Sequence, residues 1–217
     1  MNEVQRSKII LKILNKIYPK TPIPLKHRNK FTLLISVLLS AQTTDVNVNN
    51  VTKNIYPKYN KPKHFVKLGR KKIERLIKSI GIFRVKAKSV YLLSKQLIKK
   101  HKGKVPETFE ELEQLPGVGH KTASVVMSQG FGHSAFPVDT HIDRLAQRWG
   151  LTNGRNVVQT EKDLKRLFPK KFWNKLHLQI IYYGREYCKA RECYGLTCKI
   201  CATCYPNRKT PTKTKKA

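Results

Sequence analysis

A chain of 217 residues with 45 Lys+Arg against 13 Asp+Glu, a formal +32, has room for one large or two small apolar cores and favours a polyanionic partner, nucleic acid above all. A ribosomal or nucleoid protein that merely adheres is the competing reading of that charge. The longest apolar run, "LLISVLLSA" over 33–41, is about half the length of a membrane span, so no membrane partner is expected.

In chain order, Ile10, Ile13, Leu14 and Ile17 recur at helical spacing among Lys and Asn, which predicts an amphipathic helix and not a signal peptide. Residues 30–41 read as a buried helix, and "TTDVNVNNVTKNIY" follows with Asp45 as its N-cap. "HFVKLGRKKIERLIKSIG" predicts one or two helices stopped at Gly81, and "FRVKAKSVYLLSKQLIKKHKG" an amphipathic helix closing at Gly103. "VPETFEELEQL" has Thr108 and Glu111 at capping-box spacing. Glu107, Glu110, Glu111 and Glu113 crowd its early turns, where the dipole favours acids, so they are assigned to building the helix. After "FPVDTHIDRLAQRWG" come two further helices, "VVQTEKDLKRLFP" and "FWNKLHLQIIYYGREYC". A basic tail, 208–217, is expected to be disordered. Strand alternation is scarce and no solenoid repeat is present, which makes the fold class all-α.

Only about four residues join the helix ending near Leu115 to the one starting near His120. Pro116 cannot continue the first helix. Gly117 and Gly119 permit positive φ and leave no side chain beside the backbone, so their amides and the first N–H groups of the next helix can point at a phosphate. An ordinary αα turn is the competing reading. Lys121 then falls in a first helical turn, where the positive dipole end and neighbouring cations, His120 among them, disfavour its charge. It is either a phosphate-binding lysine or a nucleophile. Asp139, 18 residues on in "PVDTH", reads locally as an N-cap.

"LPGVGHKTASVV" (115–126) followed by "FPVDTHIDRLAQRWGL" resembles the helix–hairpin–helix–Gly/Pro…Asp signature of the endonuclease III family of DNA glycosylases. "LLSAQTTD" (38–45) resembles the same family's early motif, and the similarity runs from about residue 8 to Cys188. The resemblance implies a helix–hairpin–helix DNA glycosylase fold, two helical lobes with a DNA-binding cleft between them. A six-helix lobe would span 24–134, and a second lobe would join 1–23 to 135–207. Lys121 falls on the family's nucleophile and Asp139 on its catalytic aspartate, so base excision and β-elimination through a Schiff base are implied, on oxidised pyrimidines. A flipped base leaves a gap. Gln42 resembles the residue that fills it, and Ile82 stands where the family often has a second wedge, Leu. Leu115, Gly117, Gly119, His120 and His141 are the remaining expected DNA contacts. The partner would be double-stranded DNA with a damaged base or an abasic site, met by a monomer in the cytoplasm at the nucleoid. The alternative is a non-catalytic DNA-binding protein that uses the hairpin as its anchor.

All five cysteines lie in "CKARECYGLTCKICATC", too clustered for a framework of disulfides. The family binds a [4Fe–4S] cluster with C-x6-C-x2-C-x5-C. Here the first, third and fourth positions fall on Cys188, Cys198 and Cys204, and the second on Gly195, which cannot ligate. The fourth thiolate comes from Cys193 or Cys201. Two overlapping C-x-x-C turns favour Cys188, Cys198, Cys201 and Cys204, leaving Cys193 spare. Zinc, a lost cluster, or five simple buried thiols are the alternatives. Lys189 and Arg191 would lie in a DNA-contacting loop there.

Overall fold

The computed structural model describes residues 1–215, which form twelve α-helices and a short 3₁₀ turn (Lys170–Phe172), with no strand among the described residues. In chain order the helices are α1 (Glu3–Ile17), α2 (Lys30–Ser40), α3 (Asp45–Thr52), α4 (Pro62–Leu68), α5 (Arg70–Leu76), α6 (Phe83–His101), α7 (Phe109–Glu113), α8 (His120–Gly130), α9 (Thr140–Arg148), α10 (Val157–Leu167), α11 (Trp173–Glu186) and α12 (Lys199–Cys204). None is long and apolar enough to cross a membrane. The chain divides into two compact units, Ile23–His133 and Met1–Pro22 with Ser134–Ala217.

The unit over Ile23–His133 is built on α2. Every residue from Phe31 to Leu39 is buried, and α3, α6 and α8 pack against this helix, while α4 and α5 pack on α6 and α7 on α8. Asn29 starts it with a reciprocal capping box to Thr32. Thr44, and not Asp45, caps α3; its hydroxyl accepts from Asn47 N, and Asp45 becomes the first helical residue. The unit holds seven helices where six are expected, because Gly69 at φ 71 breaks 62–76 into α4 and α5. The stop expected at Gly81 therefore falls earlier, and α5 ends at Leu76. At the end of α6, Lys102 is left-handed (φ 53) and Gly103 donates to Leu97 O at 2.9 Å, a close of the kind expected there. Thr108 caps α7 by accepting from Glu111 N (3.3 Å), while its hydroxyl donates to Glu111 Oε2 at 2.9 Å.

The other unit packs Ile10 and Leu14 of α1 into a core with Phe136, Trp149 and Tyr183. Asp143 is buried on α9 and accepts from Thr160 Oγ1 (2.7 Å) and Gln147 Nε2 (2.8 Å), which ties α9 to α10. At Gly150 (φ 63) any Cβ would collide with the Tyr205 hydroxyl, which lies over the backbone there. Arg208 stacks on the Tyr205 ring at 3.7 Å. In the segment expected to be a disordered tail, Thr212 N donates to Tyr194 O (2.9 Å) and Lys215 N to Gln147 Oε1 (2.8 Å). Lys216 and Ala217 lie outside the described residues.

Candidate functional site

The hairpin is held by its own residues. Leu115 and Val118 are buried, and Val118 N donates to Leu115 O at 3.0 Å to close the turn. Gly117 has φ 80, and a Cβ there would fall 2.7 Å from Ser89 Cβ and 3.2 Å from Leu38 Cδ1, so both conformation and space require glycine. Gly119 differs from expectation: its φ is −98, and nothing lies within 4 Å of where its Cβ would be. It caps α8 without a side chain, leaving the backbone at the start of that helix uncovered from that direction. Leu115, expected as a DNA contact, is 2 % exposed and serves to anchor the turn in the core.

Lys121 is exposed in the first turn of α8. Its neighbour His120 turns back onto α7. The His120 ring stacks on Phe109 at 5.8 Å, and Nδ1 lies 2.8 Å from Glu113 Oε1. Two more of the acids assigned to helix building pair with histidines, Glu107 with His133 (3.0 Å) and Glu111 with His101 (3.7 Å).

Gln42 and Ile82 sit on two turns that touch. Both are left-handed, at φ 56 and φ 51, a conformation that costs a non-glycine residue on the order of 1–3 kcal/mol. Gln42 is exposed and Ile82 is 52 % exposed, so Ile82 is not a core residue. Gly81 N donates to Thr43 Oγ1 (3.3 Å), and a Cβ on Gly81 would fall 3.3 Å from Gln42 O.

In the other unit, Asp139 caps α9. One oxygen, Oδ1, accepts from both His141 N and Ile142 N at 2.9 Å. Capping therefore occupies one carboxylate oxygen, and the second takes no part in it. His141, half-buried, lies with Nδ1 3.4 Å from Arg144 Nη2. Arg144 also donates to Gly184 O (3.3 Å) and Cys188 O (3.2 Å), and burial beside Arg148 pulls its pKa below the ordinary arginine value.

Sequence reasoning did not find what α9 does for the cysteine segment. Arg148 is 3 % exposed and donates to Cys188 Sγ (3.4 Å), Cys188 O (3.3 Å), Lys189 O (2.8 Å) and Ala190 O (2.9 Å). The available signal was its place on the stripe of Ile142, Leu145 and Trp149, where a charge needs several acceptors.

All five cysteines are buried and free. Four of them, Cys188, Cys193, Cys198 and Cys201, have their sulfurs within 4.8 Å of one another. This grouping differs from the expected ligand set: Cys193 belongs to it and Cys204 does not. Tyr194 (φ 49) and Gly195 (φ 84) bend the chain back, Leu196 N donates to Cys193 O (2.9 Å), and Cys198 N donates to Cys193 Sγ (3.4 Å). That loop returns Cys193 to the group, an effect of φ signs that Cys spacing does not encode. Four buried thiols from one short segment, with no carboxylate or imidazole among them, fit a [4Fe–4S] cluster.

Residues 35–170 match the family model described as HhH-GPD superfamily base excision DNA repair protein. The chain is 38% identical over 210 residues to endonuclease III of Bacillus subtilis (strain 168), covering 96% of each chain. It is 40% identical over 195 residues to endonuclease III of Escherichia coli (strain K12), covering 88% of this chain and 90% of that one. Among solved structures, it matches a trapped covalent intermediate of endonuclease III with DNA at a TM-score of 0.88 and 40% identity, over 92% of this chain and 94% of the other.

Proposed function

Since the chain belongs to the endonuclease III family, within the HhH-GPD superfamily of base excision DNA repair proteins, we propose that it removes oxidised pyrimidines from double-stranded DNA and then cuts the abasic strand by β-elimination. The observation that carries this reading is an exposed lysine, Lys121, in the first turn of a helix entered through a glycine hairpin, with open space at Gly119 where a side chain would stand.

The hairpin grips a phosphate through backbone N–H groups, which needs no base sequence. Gln42 and Ile82 enter the stack beside the lesion, and the damaged nucleotide leaves it. The neutral amine of Lys121 attacks C1′ of the sugar, and the bond from C1′ to the base breaks, the base leaving as its anion and taking a proton from water. The carboxylate of Asp139 steadies the positive charge that grows on the sugar and accepts the amine's proton through the oxygen not used in capping. Opening of the sugar ring leaves an imine to Lys121. Loss of the C2′ proton then expels the 3′ phosphate, and water releases the lysine. Because Lys121 is exposed, the DNA itself supplies the dry surroundings that a neutral amine needs. His141, one residue from the α9 N-terminus, lines the approach to the sugar. The protein acts as a monomer on chromosomal DNA.

We assign the [4Fe–4S] ligands to Cys188, Cys193, Cys198 and Cys201. The cluster, when bound, cross-links the segment after α11 and gives no atom to base excision. Arg148 holds the start of that segment, which carries Lys189, paired with Glu192 at 3.1 Å, and Arg191 as cations for the phosphates. Cys193→Ala is expected to lose bound iron and visible absorbance on purification, while Cys204→Ala keeps both. The reverse pattern overturns this ligand set, and zinc in place of iron overturns the cofactor.

The function itself is tested with duplex carrying a single thymine glycol. The expected products are free base and a strand ending in an unsaturated aldehyde at its 3′ side. Equal, purely salt-sensitive binding to intact and damaged duplex with no cleavage would instead mark a DNA-binding protein without catalysis.

A further inference from the structure

Lys86 is a buried lysine that the proposed chemistry leaves unused. It lies in the first turn of α6, four residues after Ile82, and is 3 % exposed. Its position was readable in the sequence as a cation on an apolar stripe, since Val90, Leu93 and Leu97 follow it at helical spacing and are all buried. The side chain does not reach an acid; it makes no ion pair among the described residues. Its ammonium donates to Leu39 O at 2.8 Å and to Ala41 O. These carbonyls belong to the C-terminal end of α2, where carbonyls lack partners within the helix and the dipole is negative. Burial depresses the Lys86 pKa below the ordinary lysine value, so the charge is held there at a cost.

The chain immediately after Ala41 is Gln42, in its left-handed conformation, and the chain four residues before Lys86 is Ile82, in the same conformation. One ammonium thus joins the element that carries one wedge residue to the element that carries the other. Two weaker ties follow the same line: Gly81 N to Thr43 Oγ1 (3.3 Å) and Asn47 Nδ2 to Ser79 O (3.1 Å). An apolar side chain at 86 would fill the space and leave two buried carbonyls without that donor.

We propose that Lys86 is a positioning residue for base extrusion, clamping the Gln42 turn onto the start of α6 so that Gln42 and Ile82 stand ready before DNA arrives. The proposal rests on the wedge roles given above. Thermodynamically, the clamp replaces an ordering step that would otherwise accompany binding.

The test compares one lesion in two settings: thymine glycol in a fully paired duplex, and thymine glycol opposite a one-nucleotide gap, where no partner base must be held. Single-turnover excision by Lys86→Met is expected to fall on the order of tenfold on the paired duplex, by misplacement of the wedge, with a several-fold smaller loss on the gapped one. Equal losses on both substrates would show a merely structural role, and no loss on either would show none; each overturns the proposal. Should Lys86→Met fail to fold, Gly81→Ala carries the test, because its Cβ would press on Gln42 O from 3.3 Å and part the same two turns. Gln42→Ala and Ile82→Ala are measured alongside. If they too lose no more on the paired duplex than on the gapped one, the wedge reading fails. If they do lose more and Lys86→Met does not, only the clamp fails.

Discussion

Lys121→Ala leaves a folded protein that forms no borohydride-stable adduct with abasic duplex, and its strand cleavage falls at least about a thousandfold, roughly 4 kcal/mol of transition-state stabilisation. In the proposed mechanism the amine is the atom that bonds to C1′, so no neighbouring group can substitute for it without the same reach. Lys121 is exposed and lies in a helical first turn, where alanine is a good helix former. The expected stability change is therefore within about 0.5 kcal/mol, and loss of activity is not loss of fold. Borohydride trapping read on a gel and thermal unfolding of the same preparation check both halves. Adduct formation at the parent's level would exclude Lys121 as the nucleophile. Binding to abasic duplex should survive, because the phosphate grip proposed for the hairpin uses backbone and not this side chain.

Asp139→Asn separates the cap that the carboxylate makes from the catalytic role proposed for it. Asparagine retains a side-chain oxygen able to accept from His141 N and Ile142 N, and it caps helices about as well as aspartate. It removes the negative charge. Single-turnover base excision is expected to fall by about 10²–10³, with stability changed by only a few tenths of a kcal/mol, as befits loss of one charge at the reacting centre with the cap intact. Asp139→Ala loses the cap as well, so it is expected to lower stability by a further ~1 kcal/mol. Rates measured under single turnover, with unfolding midpoints for both variants, decide it. An Asp139→Asn protein as fast as the parent would leave Asp139 with the capping role alone.

These two residues were legible for different reasons. The motif containing Lys121 is local: a proline, two glycines and a lysine within six residues, with helices on both sides. Asp139 was legible twice over, as a cap from its immediate neighbours and as an acid from its match to the family. The cap alone would have been a sufficient account of it. Its geometry leaves room for both, since a single oxygen accepts both amides. Gln42 and Ile82 were named, but their left-handed backbones were not, because neither residue type favours that conformation and only the surrounding packing imposes it. Gly81 read as a helix stop since glycine commonly is one; the stop came at Leu76, and Gly81 instead allows two turns to approach.

By itself, the sequence determined what short-range chemistry decides. Helical periodicity, the cap at Thr108 and the hairpin before Lys121 depend on residues within a turn or two of one another. The tertiary structure alone decided which distant groups meet. It brought Cys193 and not Cys204 to the thiol group, through a loop whose two left-handed residues reverse the chain. It set Arg148 against the carbonyls of Cys188, Lys189 and Ala190. It buried Lys86 against the end of α2. The physical reason is the same in each case: a buried cation or thiol is stable only where acceptors or partner sulfurs converge, and that convergence belongs to the packing of elements far apart in the chain.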